Sequence, residues 1–165
     1  MTFNIKAKSL RLGNFIEAEV KTLLLQHTET TGQVFTPEAL EYVWRQTQGQ
    51  PWLVNALAYE ACFELKSGRD RTHPITLELM KTAREDLIQR RDTHLDQLTD
   101  KLKEPRVHRV IAQMLGSEAQ VEQFPTDDAQ YVEDLGLIRR RPAWRIANPI
   151  YQEIIPRELT WTSQF

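Results

Sequence analysis

The chain has 165 residues, room for one domain or two small ones, with 41% hydrophobic and 27% charged residues, a balance that excludes wholesale disorder. Its formal net charge of −2 excludes a global basic field for nucleic acid and leaves that role to a local patch. The single cysteine, Cys62, excludes an intramolecular disulfide and a thiolate metal cluster, and its apolar run Ala61-Cys62-Phe63 reads as core.

No stretch approaches the roughly 18 consecutive apolar residues of a membrane span. Residues 1–12 alternate lysine with apolar residues instead of building a signal-peptide core. A soluble cytoplasmic protein with no membrane partner is therefore expected.

Residues 3–10 (Phe3-Asn4-Ile5-Lys6-Ala7-Lys8-Ser9-Leu10) alternate apolar and polar, which predicts a strand with one buried face. A lone strand is not stable, and no partner run lies nearby, so it reads as the remnant of a sheet completed elsewhere. A first helix is predicted over 17–30, with Val20, Leu23, Leu24 and His27 on one face and Gly32 closing it. Thr36-Pro37 opens a second, a threonine cap followed by proline at the first helical position. Its expected inner stripe is Leu40, Val43, Trp44 and Thr47, and Gly49 ends it.

Pro51 opens a third helix, apolar nearly all round from Trp52 to Tyr59 and so expected to be the most buried. Residues 66–73 read as a polar loop. Thr76 caps a fourth helix carrying Met80, Ala83 and Leu87, and a fifth carries Leu95, Leu98 and Leu102 up to Glu104-Pro105, where proline enforces a boundary. Beyond it, Val107, Val110, Ile111, Met114 and Leu115 form another helical stripe ending at Gly116. Residues 117–126 read as irregular, and 127–135 as a short helix with a Gly136 cap. The β-like runs 137–141 and 144–147, joined by Pro142-Ala143, predict a hairpin, and 149–159 closes with a helix.

Several motifs of catalysis are missing from the sequence. The six glycines (13, 32, 49, 68, 116 and 136) are isolated, so no G-x-x-x-x-G-K-[ST] loop supplies the backbone cradle and lysine that hold nucleotide phosphates. There is no G-x-S-x-G elbow and no H-E-x-x-H helix, and His27, His73, His94 and His108 lack metal-ligand spacing. Asp92 and Asp96 flank His94, a pattern that a solvated helix face explains. The chain is read as non-enzymatic.

Gln48-Gly49-Gln50-Pro51-Trp52-Leu53-Val54 is the most informative stretch. As punctuation, glycine stops one helix and proline starts the next. A tight corner of this kind is also expected to expose backbone groups and a rigid ring, backed by Trp52, against which a flat heteroaromatic base can pack. Together with Phe35-Thr36-Pro37-Glu38-Ala39-Leu40, this run resembles the lid of archaeal-type and STAND-class P-loop ATPases, relatives of AAA proteins. Phe3-Asn4-Ile5 and 10–15 resemble the last core strand and the approach to that lid; 134–138 and 146–151 resemble the winged-helix domain that follows.

The resemblance implies a mainly α chain: residues 1–14 as core remnant and linker, 15–104 as a helical AAA-type lid bundle, and 105–165 as a winged-helix-like domain with a small β-hairpin. It implies that Gly49, Gln50, Pro51 and Trp52 contact an adenine nucleotide, but only when a P-loop core is supplied. ATP or ADP with Mg2+ would belong to that full-length parent ATPase, with no cofactor for this chain alone. A sensor arginine cannot be assigned, because the helix begins Pro51-Trp52. The implied function is a non-catalytic regulatory fragment that couples nucleotide state to a protein partner or downstream domain.

The alternative is a small winged-helix DNA-binding regulator using Arg139, Arg140, Arg141 and Arg145 on the wing, where arginines would contact phosphates. Residues 101–165 hold nine basic and nine acidic side chains, with Asp127, Asp128, Glu133 and Asp134 on the recognition-helix candidate. These acids oppose a DNA backbone, so DNA is the weaker of the two partner expectations.

Overall fold

The computed structural model describes residues 13–90, 93–116 and 126–162. The strand expected at 3–10, all but the last two residues of the core remnant and linker assigned to 1–14, and the Asp92/His94/Asp96 cluster lie outside the described residues or their described side chains, as does the irregular stretch 117–126 except for Thr126, which begins a helix. The rest is mainly helical with one small hairpin, as the periodicity predicts. No helix among the described residues is long and apolar enough to cross a membrane. The chain divides into two compact units, one ending at Arg90 and one beginning at Arg91.

The first unit holds α1 (Glu17–Thr31), α2 (Pro37–Thr47), α3 (Pro51–Tyr59), a π-helical turn (Glu60–Glu64), the short α4 (Lys66–Arg69) and α5 (Leu77–Gln89). The expected α1 face is buried as a set, Val20, Leu23, Leu24 and His27, and Gly32 takes the left-handed position that stops the helix, at φ 79°. Thr36 and Thr76 cap α2 and α5 by accepting from the Ala39 and Leu79 amides, each at 3.2 Å. The residues just before these caps pair as a parallel bridge, Phe35 with Ile75. The Thr36 amide donates to the Ile75 carbonyl at 3.0 Å and the Ile75 amide to Val34 at 2.7 Å. Two helix starts far apart in sequence are thereby fixed side by side, which aligns α2 and α5 for packing.

Three local expectations shift. The buried stripe of α2 is Ala39, Val43 and Thr47; Leu40 and Trp44 flank it, half-buried against the core. Residues 66–69 form a helical turn instead of a loop, because Gly68 lies on the Ala61 carbonyl, where a Cβ would sit 1.6 Å from that oxygen. After α3, which has no exposed residue, the helix widens by one residue over 60–64, its Leu65 amide bonding the Glu60 carbonyl at 3.0 Å. The buried Glu60 carboxylate pairs with Arg90 at 2.9 Å, which ties the end of α5 to this turn.

One polar cluster is sealed inside this unit. Gln33, fully buried, donates through its amide nitrogen to the carbonyls of Gly68, Asp70 and His73 at 2.8 to 3.1 Å. Its amide oxygen accepts from Arg71 at 3.0 Å, and Arg71 also donates to the carbonyls of Cys62 and Gly68 while lying over the Phe63 ring. That oxygen cannot donate, so the 2.8 Å contact from His27 Nε2 requires the imidazole to be the donor. The Gln33 amide thus ties the 68–73 segment, which has little apolar surface of its own, to α1. The Cys62 thiol beside it is buried, its pKa pushed up to about 12 by desolvation, as its apolar setting predicts.

The second unit contains α6 (Thr93–Leu102), α7 (Pro105–Leu115), α8 (Thr126–Asp134), β1 (Ile138–Arg139), β2 (Arg145–Ile146) and α9 (Pro149–Thr162). The break expected at Glu104-Pro105 separates α6 from α7, with Pro105 opening the latter. The boundary between units lies earlier, because α6 buries Leu98 and Leu102 and packs on α7 and α9 instead of joining the first bundle. Gly136, at φ 82°, turns the chain from α8 into the hairpin. Asn148 caps α9 by accepting from the Tyr151 amide at 2.9 Å, and Ile150, Ile154 and Ile155 face the core as expected.

His27 makes this core pH-sensitive. Burial is the main cause that lowers its pKa below the ordinary 6.5, so the unfolded chain takes up a proton before the folded one does. Stability attributable to this group is therefore complete above about 6.5 and declines as pH falls toward the lowered folded value. Urea titrations at pH 7 and pH 5.5 are expected to show a larger loss for the native chain than for His27→Gln. Equal losses would remove His27 as the cause.

Candidate functional site

The corner at 48–52 is built by two helix ends and a chain approaching from elsewhere. Gln48 and Gly49 both adopt left-handed backbone, at φ 48° and 81°, turning α2 back toward α3. Thr47 braces the turn, with its hydroxyl accepting from the Gly49 amide at 3.2 Å and its carbonyl from the Gln50 amide at 3.0 Å. Gln50 caps α3, its side-chain oxygen accepting from the Leu53 amide at 2.8 Å, and Pro51 occupies the first helical position.

The sequence does not identify Phe15 as the third component. Its amide donates to the Gly49 carbonyl at 2.8 Å. A Cβ on Gly49 would meet the Phe15 carbonyl oxygen at 1.9 Å. Gly49 is buried by this approach, which corrects the expectation that the corner exposes its backbone groups. The Gly49 amide and carbonyl and the Gln50 amide are all engaged within the chain. What the corner presents outward is side-chain surface: the half-exposed Pro51 ring, part of Trp52, whose remainder packs on the core, and the Gln50 NH2 group, since the Gln50 oxygen is held by the cap.

In the hairpin the four arginines expected to act together separate into different roles. Arg140 is clamped to α8. Its backbone amide bonds Glu133 Oε2 at 3.0 Å, its guanidinium bonds Glu133 Oε1 at 3.1 and 3.2 Å and also Gln130, and it lies 5.8 Å from the Trp144 ring centroid. Arg145 folds over the turn, donating to the carbonyls of Arg141 and Ala143 at 2.9 and 3.1 Å. Arg139 is half-buried and sits directly opposite Arg145 in the ladder; burial and that neighbouring charge push its pKa down. Arg141 is exposed.

The acids of α8 are also engaged. Asp128 pairs with Arg106 at 3.2 Å and Arg109 at 3.4 Å from α7, and Arg106 lies 4.1 Å over Tyr131. Tyr131 in turn donates to Glu104 at 2.7 Å, which holds the Glu104 carboxyl below its usual range. Much of the charge read in sequence as a surface field is therefore cross-bracing between helices. The strands themselves are shorter than expected, two residues each.

Among the described residues no group of three or more His, Cys, Asp or Glu side chains is placed to hold a metal ion. Compared with protein-family models, curated proteins and solved structures, the chain matches none.

Gly49→Ala is expected to destabilise the chain by about 2–4 kcal/mol, because it combines a left-handed backbone with a blocked backbone contact. Gly32→Ala, left-handed but with nothing within 4 Å of the added carbon, should lose only about 1 kcal/mol. Urea denaturation of the two variants checks the ordering. In the hairpin, a double-mutant cycle of Arg140→Ala and Glu133→Ala should give a coupling of about 1 kcal/mol; no coupling would mean that the clamp is absent in solution.

Proposed function

We propose that this chain is a non-catalytic regulatory module, a helical lid joined to a winged-helix-like unit, which couples the nucleotide state of a P-loop core to a protein partner or downstream domain. The observation that carries this reading is the bond from Phe15 to the Gly49 carbonyl at 2.8 Å. It attaches the chain leading into α1 directly to the corner that the resemblance assigns to adenine contact. Movement on either side would be transmitted through one backbone contact with no intervening flexible side chain. Ile16, next to Phe15, leaves 63% of its surface exposed, which supports this edge as a place where another surface packs. In the second unit, three helices, a hairpin and a fourth helix support the winged-helix reading.

Nucleotide and Mg2+ would be held by the core. The 165 residues include no phosphate-binding loop, so this chain contributes Gln50, Pro51 and Trp52 as one wall of a base pocket, with Gly49 fixing their position. Coupling requires that bound nucleotide favour one arrangement of the lid over another. A DNA-binding role is less well supported, because Arg140 and Arg145 are engaged within the unit.

Isothermal titration of this chain alone with ADP and with ATP is expected to show no micromolar binding. Micromolar affinity would mean that the chain carries a complete nucleotide site, and would overturn the proposal. Reading the codons upstream of Met1 supplies a second check: an in-frame glycine-rich loop ending Gly-Lys-Ser or Gly-Lys-Thr is the expected result.

A further inference from the structure

The Glu60–Arg90 pair joins two points where the first unit leaves regular helix. Glu60 opens the π-helical turn, and Arg90 caps α5 as the last residue of that unit. The two members are unequal: the Glu60 side chain is 5% exposed and the Arg90 side chain 48%. Glu60 Oε2 accepts no hydrogen bond of good geometry among the described residues, so the 2.9 Å contact rests on charge. Glu64 of the turn and Asp86 of α5 both act against the ionised carboxylate, and Arg90 is the cation that compensates it. Of the other elements packed on the turn, α3 has no charged side chain, and Lys66 and Arg69 of α4 are exposed. A buried carboxylate held by one half-exposed cation loses its hold on that cation once its own charge is gone.

We propose that this pair is a proton-operated latch: protonation of Glu60 frees the Arg90 side chain and the last turn of α5, while the neutral carboxyl stays buried in the π-helical turn. With Arg90 docked, its charge stabilises the carboxylate. With Arg90 away, the carboxylate is buried beside two like charges and takes up a proton more readily. Protons therefore favour the released arrangement, and release favours protonation by the same factor. Burial is the largest influence on Glu60 and holds its pKa above the ordinary 4.5 even with Arg90 in place, so the latch opens as pH falls through a range above that value. Relative to the unfolded chain the raised value makes Glu60 favour folding more as pH falls, so the release is local and not the start of global unfolding. Leu87 and Ile88 stay buried, and the bond that opens is the one from the Arg90 amide to the Asp86 carbonyl, at 3.0 Å. The inference does not depend on the nucleotide-lid reading.

The test is NMR of the intact chain between about pH 7.5 and 4, following the Glu60 carboxyl carbon, the Arg90 Nε–H and the exchange protection of the Arg90 amide. In the native chain the Glu60 and Arg90 signals should move with one midpoint, above the ordinary 4.5, and protection of the Arg90 amide should fall about threefold across it. Arg90→Gln should raise the Glu60 midpoint by about half a pH unit, the same factor read from the other side. Glu60→Gln, which keeps the shape of the neutral carboxyl, should show the lower protection already at pH 7 and no change on acidification. His27→Gln serves as the control for the other buried titrating group and should leave the Glu60 midpoint in place. Should a variant fail to fold, the native titration decides alone, through whether the Arg90 signal follows Glu60. An Arg90 signal that does not follow it, a Glu60 midpoint unmoved by Arg90→Gln, or pH-dependent protection that persists in Glu60→Gln would each overturn the inference.

Discussion

The backbone of Phe15 approaches Gly49 so closely that no Cβ fits between them, and one hydrogen bond holds the approach at 2.8 Å. The contact constrains the start of α1, the end of α2 and the start of α3 together, because each of these elements begins or ends within two residues of it. Only glycine satisfies both of its demands, a positive φ and an empty side-chain position. The remaining groups of the corner are consistent with this constraint: Thr47, Gln50 and Pro51 each satisfy or remove a backbone donor that would otherwise be buried unpaired. The corner is accordingly a stiff element whose outward surface is made of side chains.

A second constraint serves the opposite side of the same unit. The segment from Gly68 to His73 is polar and cannot hold itself down by apolar burial. Gln33 and Arg71 bind its carbonyls, and the cost of burying those polar groups is met by near-complete hydrogen bonding. The parallel bridge between Phe35 and Ile75 continues the same attachment. Thus α1, α2 and α5 are tied at one end by the Gln33 cluster and the Phe35–Ile75 bridge; at the other end the Gly49 corner holds α1 and α2 and the Arg90–Glu60 pair holds α5, and apolar packing fills the space between.

The hairpin unit uses charge in place of strand length. Strands of two residues supply few ladder bonds, and a hairpin of that size is not stable by itself. Its stability comes from Leu137, Ile138 and Ile146 buried on the core side and from the Glu133 clamp on Arg140. The pairing of Asp128 with Arg106 and Arg109 joins α8 to α7 in the same manner. Charged residues here therefore act mainly as cross-links.

The sequence by itself determined where most of the helices begin and end, because those signals are local; the turns at 60–64 and 66–69 are the exceptions. Thr36, Thr76 and Pro51 cap or open helices through contacts within three residues, and the Val20/Leu23/Leu24/His27 face follows from helical spacing alone. It also located the hairpin and the residues worth testing at 49–52 and 139–145. Tertiary structure decided what those residues do. Phe15 closes the corner from 34 positions away, Glu133 takes Arg140 out of the set of available arginines, and Leu98 and Leu102 assign α6 to the second unit. No periodicity records such pairings, because they depend on the through-space distance between elements, and that distance is set only when the cores are packed.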